Sequence, residues 1–228
     1  MNLKPWRDVV TPHPDVAGGR YRQAEFAADL AQVLSGRAEP EYQDPVEFYQ
    51  RTYITEGMKG LLVAALERVT GKGGEPVVQL KTAFGGGKTH TMLALYHLLG
   101  GKAPANRLAG VNEILKVAKV DALPKANIAV LVGTALDPTK ARKHPSLKGK
   151  QVRTLWGEIA AQIGGAEAYG LVESADFSGV SPGADTLVEL LDKFGPCVIL
   201  IDELVAYARN IYGVERLAAG SFDSNMTF

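Results

Sequence analysis

The sequence is poor in the residues that build covalent or metal-held scaffolds. Its single cysteine, Cys197, excludes an intrachain disulfide framework and a zinc site built from cysteines. The four histidines, His13, His90, His97 and His144, show no spacing typical of metal ligands. These absences predict a fold held together by its apolar core, and the cysteine usage fits a reducing compartment.

The sequence also lacks a long apolar run and an excess of either charge. The start, "MNLKPWRDVV", has no apolar segment of the kind found in secretory signals, and no window approaches the length of a membrane span. Lys plus Arg number 25, as do Asp plus Glu, so the whole molecule has no electrostatic preference for nucleic acid or anionic membranes. With 46% apolar residues over 228 positions, the sequence predicts a cytoplasmic globular protein that binds no membrane.

Apolar residues at helical spacing dominate the first third of the chain. They predict a helix over 24–34, a short helix opened by Asp44 and Pro45, and a longer helix that follows Thr55. The longer helix has the most regular apolar stripe in the chain, made of Met58, Leu61, Leu62, Ala65, Leu66 and Val69. We therefore expect an N-terminal helical arm over residues 1–74.

Three short apolar segments in the rest of the chain predict β-strands. They are "PVVQLKT" at 76–82, "NIAVLVG" at 127–133 and "CVILID" at 197–202. The last two lack polar alternation, as expected for strands buried on both faces of a parallel sheet. Helices predicted over 88–99, 154–163 and 182–194 separate the strands, which indicates an α/β doubly wound domain over 75–228. Because three strands make a small sheet, we expect this core to be incomplete within the sequence.

The stretch "LKTAFGGGKTHTML" has most of the phosphate-loop pattern G-x-x-x-x-G-K-[ST], but Thr82 stands at the first glycine position. Gly85, Gly86 and Gly87 allow consecutive backbone N–H groups to surround an anion, and the helix that follows adds its positive dipole end. Because Thr82 lies where the chain leaves the predicted strand, we expect altered loop entry with phosphate binding retained. The alternative is that "FGGG" is only a flexible turn before a core helix.

The residues after the glycines supply the polar groups that such a loop needs. Lys88 would reach the β- and γ-phosphates of ATP, the Thr89 hydroxyl would ligate Mg²⁺, and the backbone of His90 would face the α-phosphate. The imidazole of His90 has no part in this pattern, and we expect it to be a surface group.

A second motif, Asp202-Glu203, follows the apolar run "VILI" at the carboxyl end of the last predicted strand. In ATPases with this pattern the aspartate binds Mg²⁺ and the glutamate polarises the attacking water. The alternative is that the two acids cap a helix that begins at Leu204. Combined with the glycine loop, the pair predicts an ATP and Mg²⁺ site, with Lys88 and Glu203 as catalytic residues.

A third feature is a basic segment over 140–153 that has six cations and no acid: Lys140, Arg142, Lys143, Lys148, Lys150 and Arg153. Such a segment binds nucleic-acid phosphates or the acidic face of a neighbouring subunit in some proteins. The alternative is a solvated loop balanced by acids elsewhere. The absence of interleaved aromatic residues favours this second interpretation.

Four stretches carry a resemblance to a known family: "VTPHPDVAGGRYRQAEFAADL", "QLKTAFGGGKTHTMLALYHLL", "VRTLWGEIAAQIGG" and "VILIDELVAYAR". At these positions the chain resembles the N-terminal region of a family of large prokaryotic predicted AAA+ ATPases. That family is described as a domain of unknown function often encoded beside DNA methyltransferases in islands assigned to anti-phage defence. The resemblance implies a P-loop NTPase fold, with a Walker A from Thr82 to Thr89 and a Walker B ending at Asp202-Glu203.

The resemblance also implies a function and partners for the intact protein. It implies ATP hydrolysis that remodels DNA or a protein partner, a DNA methyltransferase-containing defence complex, and a homo-oligomer. An AAA+ core also needs a sensor strand and an arginine finger, and neither can be assigned in this sequence. The alternative is a nucleotide-gated scaffold that binds ATP without hydrolysing it. A small-molecule kinase is disfavoured, because such enzymes do not need the Asp-Glu pair.

Overall fold

The computed structural model describes residues 4–12, 14–19, 28–81 and 87–228. Within them the chain is mixed α/β, with helices α1 (Pro14–Ala17), α2 (Leu30–Leu34), α3 (Pro40–Gln43), α4 (Pro45–Arg51), α5 (Glu56–Val69), α6 (Lys88–Leu99), α7 (Val111–Ala118), α8 (Leu155–Ser178), α9 (Ala184–Phe194), α10 (Leu204–Ile211) and α11 (Phe222–Thr227). The strands are β1 (Asn127–Val132), β2 (Arg142–Lys143), β3 (Gln151–Val152) and β4 (Cys197–Asp202), and short 3-10 helices cover Trp6–Asp8 and Ala105–Arg107.

The N-terminal helices begin where their capping residues predict. The Asp44 carboxylate accepts hydrogen bonds from the backbone N–H groups of Val46 and Glu47 at the start of α4. The Thr55 hydroxyl accepts from the backbone N–H of Met58 at the start of α5. The predicted helix 24–34 is described only at its end, as α2, because residues 20–27 lie outside the described part of the chain.

The parallel pairing of β1 with β4 confirms the prediction that these two apolar runs belong to a parallel sheet. The register runs from Asn127 opposite Cys197 to Val132 opposite Asp202. Both strands therefore end at the same edge of the sheet. The loops that follow them, after Val132 and after Asp202, meet at that edge.

Two predictions about the strands are wrong. Residues 76–81 form no strand, and Val77 and Val78 are 84% and 51% exposed. Strand propensity depends on a partner strand and a buried face, and within the described part of the chain residues 76–81 have neither. The prediction that β4 is buried on both faces is also wrong, since Ile199 and Ile201 are 37% and 41% exposed.

The outer edge of β1 is closed by a side chain from α8. The Val130 N–H donates to Gln162 Oε1 at 2.8 Å, and Gln162 Nε2 donates to the Val130 carbonyl at 3.0 Å. The Gln162 amide thus satisfies both backbone groups that a further strand would use at this position. β1 is therefore protected on the side away from β4.

Helix α8 is longer than the predicted helix 154–163 because a second helical stretch follows a kink. Gly164 and Gly165 have non-helical backbone angles, and Gly165 has a φ of +61°. The kink deprives the Ala161 carbonyl of its helical partner, and Ser146 Oγ donates to it instead at 3.0 Å. Asp176, on the second stretch, is fully buried and accepts hydrogen bonds from the backbone N–H groups of Arg153 and Thr154.

The largest apolar cluster joins the N-terminal helices to the β1 and β4 strands. Leu62 and Leu66 of α5, Leu93 of α6 and Leu200 of β4 belong to the same buried group. The predicted boundary between residues 74 and 75 therefore falls inside a continuous core, and it stays a prediction. A domain division there would expose apolar surface on both sides.

Candidate functional site

The start of helix α6 lies where the phosphate-loop pattern places it. Gly87 is the residue before the helix and has a φ of +74°, a left-handed conformation that favours glycine. Lys88 is the first residue of the helix, as predicted. Thr82, Gly85 and Gly86 lie outside the described residues, so the path of the loop itself stays a prediction.

A hydrogen bond joins the two predicted magnesium ligands across the fold. Thr89 Oγ1, in the first turn of α6, donates to Asp202 Oδ2 at the end of β4 at 2.7 Å. The two residues are 113 positions apart in the sequence. A hydroxyl-to-carboxylate bond of this length is charge-assisted and fixes both side chains.

The other oxygen of the Asp202 carboxylate is also held. Asp202 Oδ1 accepts a hydrogen bond from the Glu203 backbone N–H at 3.0 Å, and Asp202 is 8% exposed. Both oxygens are thus oriented before any ligand binds. A pre-oriented carboxylate beside a hydroxyl is the kind of oxygen pair that Mg²⁺ uses together with water and phosphate oxygens.

Glu203 lies just outside the buried end of β4, in an unusual backbone conformation. Its φ is +52°, in the left-handed region that non-glycine residues seldom occupy, and its side chain makes no capping hydrogen bond to α10. This geometry does not match the alternative in which the acid caps the helix. The side chain is exposed, which leaves its carboxylate accessible to solvent at the same edge as Asp202.

Gly133 permits this arrangement because it has no Cβ atom, and sequence reasoning missed it. A Cβ atom at position 133 would lie 2.1 Å from the Glu203 carbonyl oxygen, far inside contact distance. The Gly133 N–H also donates to the Asp202 carbonyl at 2.8 Å. The backbone of Glu203 therefore turns directly over Gly133. A glycine immediately after a buried strand was the available signal.

His90 is not the surface group that the sequence predicts. Its imidazole is half-buried: the ring lies 4.6 Å from the Phe48 ring between centroids, and Nε2 lies 2.9 Å from Thr52 Oγ1. Burial lowers the pKa of His90 below its ordinary value, which favours the neutral ring. The side chain thus belongs to the contact between α4 and α6.

The same face of α6 carries a second buried imidazole two turns later. His97 is 1% exposed, and its Nε2 lies 2.8 Å from the Tyr42 carbonyl, which can only accept. Nε2 must therefore carry a proton, and the buried Nδ1 atom has no hydrogen-bond partner. Burial lowers the pKa of His97 to about 4.

A shallow cavity follows the end of β1. Its volume is about 450 Å³, and it lies between the loop after β1 and helix α10, lined by Thr134, Ala135, Leu136, Asp137, Pro138, Thr139 and Asn210. None of these is a predicted site residue. Throughout the described ranges there is no group of three or more His, Cys, Asp or Glu side chains that could hold a metal. The oxygen pair of Thr89 and Asp202 is therefore the candidate for Mg²⁺, which needs few protein ligands.

The basic segment forms a short hairpin of β2 and β3 rather than a plain loop. Four of its six cations face acids: Lys140 with Asp137 at 3.5 Å, Arg142 with Glu158 at 3.1 Å, Lys150 with Glu173 at 2.7 Å and Arg153 with Asp176 at 4.0 Å. These pairings fit the interpretation of a locally balanced segment. Any contact of this hairpin with DNA stays a prediction.

Comparison with known proteins gives one family. Among curated proteins and among solved structures no match to the chain was found. In the described part of the chain no helix combines the length and apolarity needed to cross a bilayer. The family model of the DUF499 N-terminal domain matches residues 1–220, nearly the whole sequence. The chain therefore belongs to the DUF499 family, through its N-terminal domain.

Proposed function

We propose that this chain is a P-loop nucleotide-binding domain that binds ATP with Mg²⁺ at the carboxyl edge of the β1–β4 sheet. The observation that carries the proposal is the 2.7 Å hydrogen bond between Thr89 and Asp202. The two residues belong to separate motifs and lie 113 positions apart in the sequence, and their side chains meet. A flexible turn and an unrelated pair of helix-capping acids have no reason to meet in this way.

Each residue has a defined role in the proposed site. Backbone N–H groups of Gly85, Gly86 and Gly87 and the start of α6 bind the phosphates, with the backbone of His90 at the α-phosphate. Lys88 neutralises charge on the β- and γ-phosphates. Thr89 and Asp202 would hold the metal ion, which would neutralise phosphate charge when bound.

Glu203 is the proposed base for hydrolysis. Its carboxylate is exposed beside the buried Asp202, and its backbone lies close over Gly133. A carboxylate in that position can orient and deprotonate a water molecule near the phosphate site. This position supports an ATPase over a phosphotransferase.

The finer assignment of the intact protein follows from the resemblance alone. We propose an AAA+-like ATPase that forms a homo-oligomer and remodels DNA or a protein partner, in a defence complex that contains a DNA methyltransferase. Cations of the β2–β3 hairpin pair with nearby acids, so the hairpin gives no support to DNA binding.

Titration of a fluorescent ATP analogue with Mg²⁺ into this chain and into its Lys88→Ala variant tests the proposal. We expect the parent to bind and the variant to lose about tenfold or more in affinity, because a charge-assisted contact to phosphate is removed. Lys148→Ala, on the exposed hairpin, is the matched control and should bind as the parent does.

Phosphate release from ATP, followed in parallel samples, separates the two functions. Release that is lost in Glu203→Gln supports hydrolysis, whereas binding without release supports the nucleotide-gated scaffold. Absence of binding by a folded parent chain would refute the nucleotide site and leave the glycines as a structural turn.

A further inference from the structure

The first turn of helix α6 is held on two sides by different parts of the fold. On one side Thr89 Oγ1 bonds to Asp202 on β4 at 2.7 Å. On the other side His90 Nε2 lies 2.9 Å from Thr52 Oγ1, at the carboxyl end of α4. Successive helical residues point about 100° apart, so these two contacts together fix the rotation of the turn about the helix axis.

The direction of the His90 hydrogen bond follows from its partner. Thr52 Oγ1 donates its only proton to the Phe48 carbonyl at 2.7 Å. The hydroxyl can therefore only accept from the imidazole, and Nε2 of His90 carries the proton. The contact depends on a donor at the Nε2 position of the ring.

Further contacts join α4 to α6 beside Thr52. Phe48 is 1% exposed and stacks against His90, and the Tyr49 hydroxyl donates to the Ala94 carbonyl at 2.8 Å. His90 and Ala94 are one turn apart on α6 and face the same helix. Helix α4 thus packs against α6 and contacts the His90 ring through Phe48 and Thr52.

We propose that His90 and Thr52 are positioning residues that aim the Thr89 hydroxyl at Asp202, so that the N-terminal helix α4 controls Mg²⁺-dependent nucleotide binding. This inference rests on the proposed function. It assigns a role to the imidazole side chain, which the phosphate-loop pattern leaves unused. A change in α4 would alter the metal side of the site, where Thr89 meets Asp202.

Two substitutions at one position test the geometry. Glutamine can place an amide N–H near the Nε2 position of histidine, whereas asparagine is shorter and places its amide near Nδ1. His90→Gln should therefore keep the bond to Thr52, and His90→Asn should lose it. Thr52→Val removes the acceptor from the other side. Thr70→Val is the matched control, because Thr70 also donates back to a helical carbonyl, that of Leu66, but contacts no histidine.

The affinity for the fluorescent ATP analogue is measured in Mg²⁺ and in EDTA for each chain. For His90→Asn and Thr52→Val we expect about a fivefold loss in Mg²⁺, the equivalent of one hydrogen bond, and little change in EDTA. His90→Gln and Thr70→Val should retain the Mg²⁺ to EDTA ratio of the parent. Thermal unfolding of all four variants identifies any general loss of structure.

The outcomes separate this inference from the proposed function. If the parent binds and all variants keep its Mg²⁺ to EDTA ratio, the positioning role is refuted while the nucleotide site stands. Equal losses in His90→Gln and His90→Asn would refute the Nε2 contact. A folded parent that binds no nucleotide overturns the proposed function and this inference with it.

Discussion

Replacing Gly133 by alanine would place a methyl group against the backbone of Glu203. The added Cβ would lie 2.1 Å from the Glu203 carbonyl oxygen, 2.7 Å from its carbonyl carbon and 3.2 Å from Tyr207 Cβ. An ordinary van der Waals contact between a Cβ atom and a carbonyl oxygen is more than an ångström longer than 2.1 Å. Two of the three neighbours are backbone atoms, so no side-chain rotation relieves the overlap.

The cost follows from what must move. Glu203 already has a left-handed φ of +52°, and its N–H and carbonyl groups are engaged at the start of α10. Overpacking of a buried site costs about 1–3 kcal/mol, and strain in the backbone adds to it. We expect Gly133→Ala to lower the free energy of unfolding by about 3 kcal/mol. We also expect it to displace the Glu203 carboxylate and so abolish phosphate release wherever the parent shows it.

Urea denaturation of the parent, Gly133→Ala and Gly60→Ala measures the effect. Gly60 is an exposed position inside α5, and a methyl group added there would meet no other atom within 4 Å. Alanine at this helical position should therefore stabilise the chain by about 0.5–1 kcal/mol. A Gly133→Ala chain as stable as the parent would refute the close approach of β1 to Glu203. The explanation of the Glu203 conformation would fall with it.

Two further predictions concern side chains outside the candidate site. Gln162→Leu should lower the free energy of unfolding, measured by urea denaturation, by about 3 kcal/mol, because the Val130 N–H and carbonyl lose their partner. The control Gln50→Leu, at an exposed position, should have little effect. Equal effects of the two substitutions would contradict the edge-closing role of Gln162. Since the pKa of His97 is lowered to about 4, the unfolded chain takes up the proton first, and stability should fall as the pH drops from about 6.5 towards 4. Between pH 7 and pH 5 the free energy of unfolding of the parent, measured by urea denaturation, should fall by about 2 kcal/mol more than that of His97→Gln. Identical pH profiles of the two chains would show that His97 is not buried as a neutral ring.

Sequence reasoning succeeded where the signal was local. The Thr55 cap, the Asp44-Pro45 start and the limits of α6 depend on residues within one or two helical turns. The apolar runs of β1 and β4 and their parallel pairing also followed from composition and order. For the segment 76–81 the local signal was misleading, because a strand also needs a partner that the described residues do not supply.

The amino-acid sequence by itself determined the family, several of the helices, the two paired strands β1 and β4, and the two motifs that define the candidate site. Only the tertiary structure decided that Thr89 meets Asp202, that Gly133 lies under Glu203, and that His90 is held by Thr52. These contacts join residues far apart in the chain, and they depend on how whole helices pack against the sheet. Packing sums many weak contacts over distant residues, so no short stretch of sequence encodes it.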